Sequence, residues 1–330
     1  MPGSFFGPLL CCLLADPSAG LDVVIDETYP HVGEYLPIAD PAMQRVMADG
    51  LALPLSAGYQ LRPLPMQDGE ARYEMLNFMG GLPGQGWIGA APNAAATWVG
   101  DEPFVARKDY SPDELDAFLA RMMKVIRISP TMHAEPPDGA VVLFDATTPE
   151  SAEESLANWD DGAELLDGYL KAGTETRMTH GSGRLHLEYR IPLQIEKLGT
   201  WRGNSGVYFQ NRYEIQVLDS FGDVIRDNGS GSIYRVHTPS QNLSLPPGQW
   251  QTLDVGFTAA SYDGDGPDAT KTAPAKLTVT YNGVPLFDEA EVPGTTGGAK
   301  LDESPAEGAL YLQDHGDPVV YRNVWFVPSD

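Results

Sequence analysis

The sequence predicts a mainly β protein, an antiparallel β-sandwich over residues 138–330 preceded by a smaller α+β domain over residues 23–137. Three observations predict it. Downstream of residue 138 the chain runs as short alternating stretches separated by turn residues. Helical periodicity is confined to the upstream part. Between the two textures lies "SPTMHAEPPDG", Ser129 to Gly139, which is proline-rich and polar.

Taken in order, residues 1–22 contain "FFGPLLCCLLA", an apolar run too short to span a bilayer. It has the length of an export signal, but no Lys or Arg precedes it and no small-x-small cleavage site follows. A degenerate signal, a frayed tail and a misplaced start codon are the readings open to it. In "DPAMQRVMADG", Asp40 is placed as an N-cap and Pro41 as the first helical residue. "ARYEMLNFMGGLPGQGWIG" reads as a strand entering a glycine-rich loop, without phosphate-cradling spacing. "SPDELDAFLARMMKVIR" carries the strongest helical pattern. Ser111 caps it, Pro112 opens it and Glu114 completes a capping box. Leu115, Phe118, Leu119, Met122 and Ile126 form its apolar stripe, with Lys124 and Arg127 in the last turn. That stripe is core packing, and the upstream domain shows no nameable chemistry. It could roof a cleft or dock a partner.

After the boundary, "GRLHLEYRIPL" alternates strictly. Leu185, Leu187, Tyr189 and Ile191 take one face, and His186, Glu188 and Arg190 the other. "GVYFQNRYEIQVLD" follows. "KLTVTYNGVPLF" is a hairpin turning on Asn282-Gly283. "GALYLQDHG" and "VVYRNVWFVP" are the closing strands, and "SYDGDGPDATKTAPAKL" reads as a solvated loop.

The charge balance narrows function. Against 46 acidic residues stand 21 basic ones, a formal net charge of −25. Such a surface repels phosphate backbones and anionic lipid, which argues against nucleic-acid and membrane partners. A neutral or cationic small molecule suits it better. The two cysteines, Cys11 and Cys12, are adjacent, so neither a disulfide framework nor a cysteine-rich metal site is available.

Candidate chemistry gathers in the sandwich. Glu214 and Gln216 lie two apart on one strand, on one face and about 6.6 Å from each other. Tyr213, Ile215 and Val217 take the opposite face toward a core. A carboxylate beside an amide suits sugar hydroxyls, although a wet outer face would look the same. Asn204, in Gly-Asn-Ser-Gly, offers both a donor and an acceptor. His315 follows Gln313 and Asp314 before a turn and could exchange protons near neutral pH, or be a surface histidine. His180, His186 and His237 are scattered singly and read as structural or surface residues. Three alternatives fail. "DGDGPD" has Pro274 where a calcium loop ends in Glu. There is no Gly-x-Ser-x-Gly elbow. The run Glu214-Ile-Gln216-Val-Leu-Asp219 has an amide where a laminarinase-like Glu-x-Asp-x-x-Glu has its second acid.

The order of "LFDATTPESAEESLANW", "GYLKAG", "LHLEYRIP", "GNSGVYFQNRYEIQVLDSFG", "PPGQW", "YNGVPLFD" and "LYLQDHGDPVVYRNVWF" resembles the 3-keto-disaccharide hydrolase domain family over about residues 139–330. The chain departs from that pattern at Ala146 and Gln251, where the family usually has Gly and Asn. The resemblance implies a concanavalin A-like jelly roll with an active concave sheet. It also implies cleavage of 3-keto-glycosides. A 3-ketone acidifies the hydrogen on carbon 2; a base removes it, and the enolate expels the glycosidic oxygen from carbon 1. Rehydration makes the outcome hydrolysis, and release of the enone makes it lyase activity. Glu214 and His315 are then the candidates for proton transfer, one taking the hydrogen and the other serving the enolate or the leaving group. Asn204, Gln216, Gln313 and Arg322 are candidates for stabilising the enolate and binding hydroxyls, with Glu188 and Tyr234 behind them. No definite cofactor is implied; a divalent metal could stabilise the enolate, although no spacing demands one. The alternatives from other classes are a non-catalytic carbohydrate-binding module of the same fold and an endo-glucanase. The acidic surface and the leader lean toward a periplasmic or secreted setting over a cytoplasmic one. Oligomeric state is left open.

Overall fold

The computed structural model describes residues 24, 26–37, 57–67, 69–79, 82–84, 108–110, 112–120, 122–266 and 268–329. The expected leader, the helix at Asp40 and the glycine-rich loop beyond Gly84 lie outside these residues, as do the cap at Ser111 and the side chain of Glu114.

The upstream part is an antiparallel sheet. Its strands are β1 (Gly33–Pro37), β2 (Ala57–Gln67), β3 (Glu70–Met79), β4 (Lys108–Tyr110) and β5 (Met122–Val125), in the order β4-β3-β2-β1-β5. Helix α1 (Pro112–Leu119) precedes β5 and buries Leu115 in a cluster with Tyr29, Tyr35, Leu61, Tyr73 and Met75. The helix predicted to run through Arg127 therefore ends eight residues early. Met122–Val125 leaves the helical stripe and pairs with β1, Glu34 opposite Val125. The β-branched Val125 loses less as strand than as helix, and an open strand edge rewards the change. It also carries Arg127 to Glu34, which is fully buried. Arg127 Nε donates to Glu34 Oε2 at 2.5 Å and Nη2 to Oε1 at 2.6 Å, and Gln60 Nε2 adds a third bond at 3.0 Å.

The predicted sandwich is present. After β6 (Val141–Phe144) and α2 (Pro149–Ser155) come β7 (Leu165–Leu166), β8 (Tyr169–Lys171), β9 (Thr174–His180) and β10 (Gly183–Arg190). Then follow β11 (Ser205–Phe209), β12 (Tyr213–Val217), β13 (Trp250–Thr258), β14 (Ser261–Asp263), β15 (Thr270–Ala273), β16 (Ala275–Tyr281), β17 (Val284–Val292), β18 (Gly308–Leu312) and β19 (Val320–Pro328). The larger sheet runs β17-β16-β13-β10-β19-β8-β7, with β6 also on β19; the smaller runs β12-β11-β18-β9. All their pairings are antiparallel.

The alternation read in the sequence sets the core. Leu185, Leu187 and Tyr189 of the larger sheet face Val207, Phe209, Ile215, Val217, Leu310 and Leu312 of the smaller one. Asn282 (φ 48°) and Gly283 (φ 76°) make the predicted two-residue turn between β16 and β17. The stretch expected to be a solvated loop instead contains the hairpin β14–β15, whose register shifts between Ser261 and Tyr262. No helix among the described residues is long and apolar enough to cross a membrane.

Two long connections cover the outer face of the smaller sheet. One spans residues 218–249 and the other 293–307. The second is stitched to the β11–β12 hairpin. Thr296 N–H and Lys300 N–H donate to the carbonyls of Arg212 and Asn211, both at 2.9 Å. Arg212 reaches back to Asp302 O at 2.7 Å, Ser304 Oγ at 2.7 Å and Ala306 O at 3.0 Å. The upstream sheet leans on the first connection through Arg62, whose Nη1 meets Asp223 Oδ1 at 2.5 Å. Val24 N–H also donates to Gly248 O at 3.0 Å.

Candidate active site

On β12 the side chains of Glu214 and Gln216 point away from the core, as period two requires. They do not face solvent. Glu214 is 2% exposed and Gln216 is 3% exposed, because the two long connections lie over them. Opposite Glu214 on β11 is Tyr208, and opposite Gln216 is Gly206. Tyr208 pairs in turn with Tyr311 of β18.

Gly206 makes the room. A Cβ there would lie 2.9 Å from the Tyr208 ring and 3.0 Å from Glu214 Cδ. The roof is as close. A Cβ on Gly298, whose φ is +80°, would meet the Tyr208 hydroxyl and lie 3.2 Å from Gln313 Nε2. On Gly297 it would lie 3.0 Å from the Tyr234 ring. Glycines at 206 and 298 let sheet and roof approach across the carboxyl.

The electrostatics follow from this enclosure. Burial pushes the Glu214 carboxyl up to about 8, against a lowering by its hydrogen bond from Tyr208. The phenol hydrogen of Tyr208 faces two acceptors, Glu214 Oε2 at 2.7 Å and Gly297 O at 2.6 Å. One hydrogen cannot serve both. When Glu214 is protonated it donates to Tyr208, and Tyr208 donates to Gly297, so every atom is satisfied. Gln313 Nε2 donates to the Tyr208 oxygen at 3.2 Å. Burial, then the charge of Glu214, drives the Tyr208 phenol strongly upward, so it acts as a neutral donor. The Glu214 backbone is pinned as well: its N–H donates to Thr296 Oγ1 at 2.9 Å, and its carbonyl accepts from Tyr234 N–H at 3.1 Å.

The candidates from sequence divide into four groups, the last being His315 alone. Glu214, Gln313 and Tyr234 gather around Tyr208 and Gly297. Gln216 and Asn204 lie beside them but are already engaged. Gln216 Nε2 donates to Asn204 Oδ1 at 2.8 Å, Val217 O at 2.9 Å and Ser205 O at 3.0 Å, while Asn204 Nδ2 donates to Thr200 O at 2.6 Å. These two hold the Gly-Asn-Ser-Gly turn, which corrects their placement among substrate ligands. Glu188 and Arg322 are a second correction. They pair with each other, Nε to Oε2 at 2.7 Å, on the outer face of the larger sheet, across the core from Glu214. Alternation puts Glu188 opposite Leu187 and Tyr189, which point inward.

There the pair anchors the linker. Glu188 accepts from His133 N–H at 2.5 Å and Asn323 Nδ2 at 3.0 Å, and Asp254 accepts from Thr131 Oγ1 at 2.7 Å and faces His186 Nδ1 at 2.7 Å. Burial opposes the Glu188 charge, but bonds from His186, Asn323 and Arg322 outweigh it and hold the carboxyl down at about 2. Arg322→Met is expected to cost on the order of 3 kcal/mol by leaving that charge unpaired, as read by urea unfolding at pH 7. A loss within 0.5 kcal/mol would show that the pair is not a determinant of stability.

His315 stands on an exposed turn two residues past Gln313, its ring edge-on to Trp201 at 5.6 Å between centroids. Sequence reasoning missed Tyr208, Gly206, Thr296 and Gly297. The alternation of β11 placed Tyr208 on the Glu214 face; the roof had no local signal. Gln251, one of the departures from the family pattern, is buried away from this face. It accepts from Tyr281 Oη at 2.5 Å and Leu245 N–H at 2.9 Å. Among the described residues no three His, Cys, Asp or Glu side chains gather to hold a metal ion. A cavity of about 280 Å³ lies elsewhere, between the upstream sheet and the sandwich edge at Arg190, Pro192 and Pro247.

The protein is thus an antiparallel sandwich whose smaller sheet carries a buried acid under a roof of loops. Residues 139–327, more than half of the chain, match the 3-keto-alpha-glucoside-1,2-lyase-like domain, and the chain belongs to that family. Among solved structures it is similar to a candidate glycosyl hydrolase from Parabacteroides distasonis ATCC 8503, with 28% identity, a TM-score of 0.50, and 58% of this chain and 85% of that one covered. A second candidate glycosyl hydrolase from the same organism matches at 18% identity and a TM-score of 0.40, over 58% of this chain and 95% of that one. No curated protein matches the chain.

Proposed function

We propose that the protein cleaves 3-keto-glycosides by elimination, with Glu214 as the base at carbon 2. The observation that carries this reading is the buried Glu214 carboxyl, raised to about 8 and packed over Gly206 against the neutral Tyr208 phenol. An ordinary carboxylate near 4.3 is a weak base toward carbon, and a raised one operates close to neutral pH. Breaking the carbon 2–hydrogen bond moves the proton to Glu214 and leaves an enolate across carbons 2 and 3. The enolate oxygen takes a hydrogen bond from the second hydrogen of Gln313 Nε2, while the neutral Tyr208 hydroxyl accepts from the newly protonated Glu214 and donates to Gly297 O. The electron pair then expels the oxygen on carbon 1, which receives its proton from His315 at the rim. The products are the free leaving alcohol and an enone, to which water can add.

No second carboxylate is needed, in keeping with Gln216 being an amide engaged by Asn204 and two backbone carbonyls. The test is to incubate the protein with a 3-keto-glucoside and with its unoxidised parent. Release of the leaving group from the keto sugar alone is expected, with kcat/KM rising with pH through about 8 as Glu214 loses its proton. Release from the parent would point to an endo-glucanase, and release from neither to a carbohydrate-binding module.

A further inference from the structure

Two connections meet beside Asn204 and Gln313, and each presents a ring to solvent. The turn Asp314–Gly316 carries His315. The segment Gln194–Asn204 carries Trp201, 66% exposed, and Leu198, 69% exposed. A single exposed apolar side chain is ordinary; an exposed indole on a clamped backbone is less so. The clamp is Asp317, itself 2% exposed. Its Oδ2 accepts from Asn204 N–H at 2.8 Å and its Oδ1 pairs with Lys197. Lys197 Nζ also donates to Gly316 O at 3.3 Å. Within the segment, Gly203 N–H donates to Gln194 Oε1 at 2.8 Å and Trp201 N–H to Leu198 O at 3.2 Å. One buried carboxylate therefore fixes both connections, and with them the edge-on Trp201–His315 pair.

We infer that Trp201 is the platform on which the leaving sugar of a disaccharide substrate stacks. The inference rests on the proposed cleavage of 3-keto-glycosides. With the oxidised ring placed against Glu214 and Gln313, the bond to be broken would point along the chain from Gln313 toward His315. The second ring then emerges where Trp201 stands. The C–H face of a pyranose suits the broad face of an indole, while its hydroxyls stay in water. A rigid ring on a clamped backbone loses little entropy in binding. The protein should then prefer a 3-keto-disaccharide over methyl 3-keto-glucoside, which has no second ring.

The test is calorimetric titration of both sugars into Glu214→Gln protein, so that binding is read without turnover, with Trp201 intact, W201A or W201F. The affinity ratio of disaccharide to methyl glycoside should fall about tenfold in W201A and largely persist in W201F. An unchanged ratio overturns the inference even where the wild-type protein cleaves keto sugars. Equal weakening of both sugars also overturns it, because Trp201 would then be supporting the loop. Binding of neither sugar to any form overturns it too. A Trp201-dependent ratio in a protein whose wild type releases nothing keeps the platform and refutes the reaction.

Discussion

Glu214→Gln should lower kcat/KM on a 3-keto-glucoside by about 10²- to 10⁴-fold, the range set by loss of one general base. The amide keeps the carboxyl's shape and can donate to Tyr208, so the fold is retained. The same substitution should change the pH dependence of stability. The folded carboxyl holds its proton to about 8, while the unfolded one releases it near 4.5. Between those values the folded state binds more protons than the unfolded state, so wild-type stability falls as pH rises from about 4.5 and levels off above about 8. The full span is on the order of 5 kcal/mol at most. The variant lacks this decline. Unfolding by urea at pH 5 and pH 9 should show it gaining on the wild type at the higher pH. Parallel curves would mean that Glu214 is already ionised in the folded protein at neutral pH, and the expected rise of kcat/KM through about 8 would go with it.

Gly206→Ala is the second large expected effect. It adds one methyl group to the floor under Glu214, where the Tyr208 ring and the Glu214 carboxyl already stand at contact distance. The methyl cannot be accommodated toward Tyr208, because Gly297 O and Gly298 press on that hydroxyl from the roof. The carboxyl must move and the oxidised ring loses its place. Stability should fall by about 1–3 kcal/mol, as for overpacked sites. Turnover should fall by about 10²-fold, as for a displaced reacting group. Near-wild-type kcat with intact stability would show that turnover does not depend on where the Glu214 carboxyl sits over Gly206.

Much of this was legible from spacing alone. The alternation in "GRLHLEYRIPL" and "GVYFQNRYEIQVLD" placed Leu187, Tyr189, Ile215 and Val217 in one core, and Asn282-Gly283 turned where it was expected to. The helix opened by Pro112 is present through Leu119, but Met122–Val125 fits a helical stripe as well as a strand, and the edge of β1 decides between them. Glu188 and Glu214 are alike in sequence, each a lone acid on the polar side of an alternating strand. One lies under the linker, paired with Arg322, and the other under the roof, against a neutral phenol.

Local order along the chain thus determined the class of fold, the inward face of each long strand and the presence of an acid on the outward face of β12. These depend on period two and on turn chemistry, both short-range. Which outward face would be covered, and with what, depended on residues 293–307 returning over a strand some 80 positions earlier. The proton affinity of Glu214 arises from that enclosure: water is removed from the carboxyl and no cation replaces it. Burial of this kind is a property of the assembled sheets and loops, and no pattern within β12 encodes it.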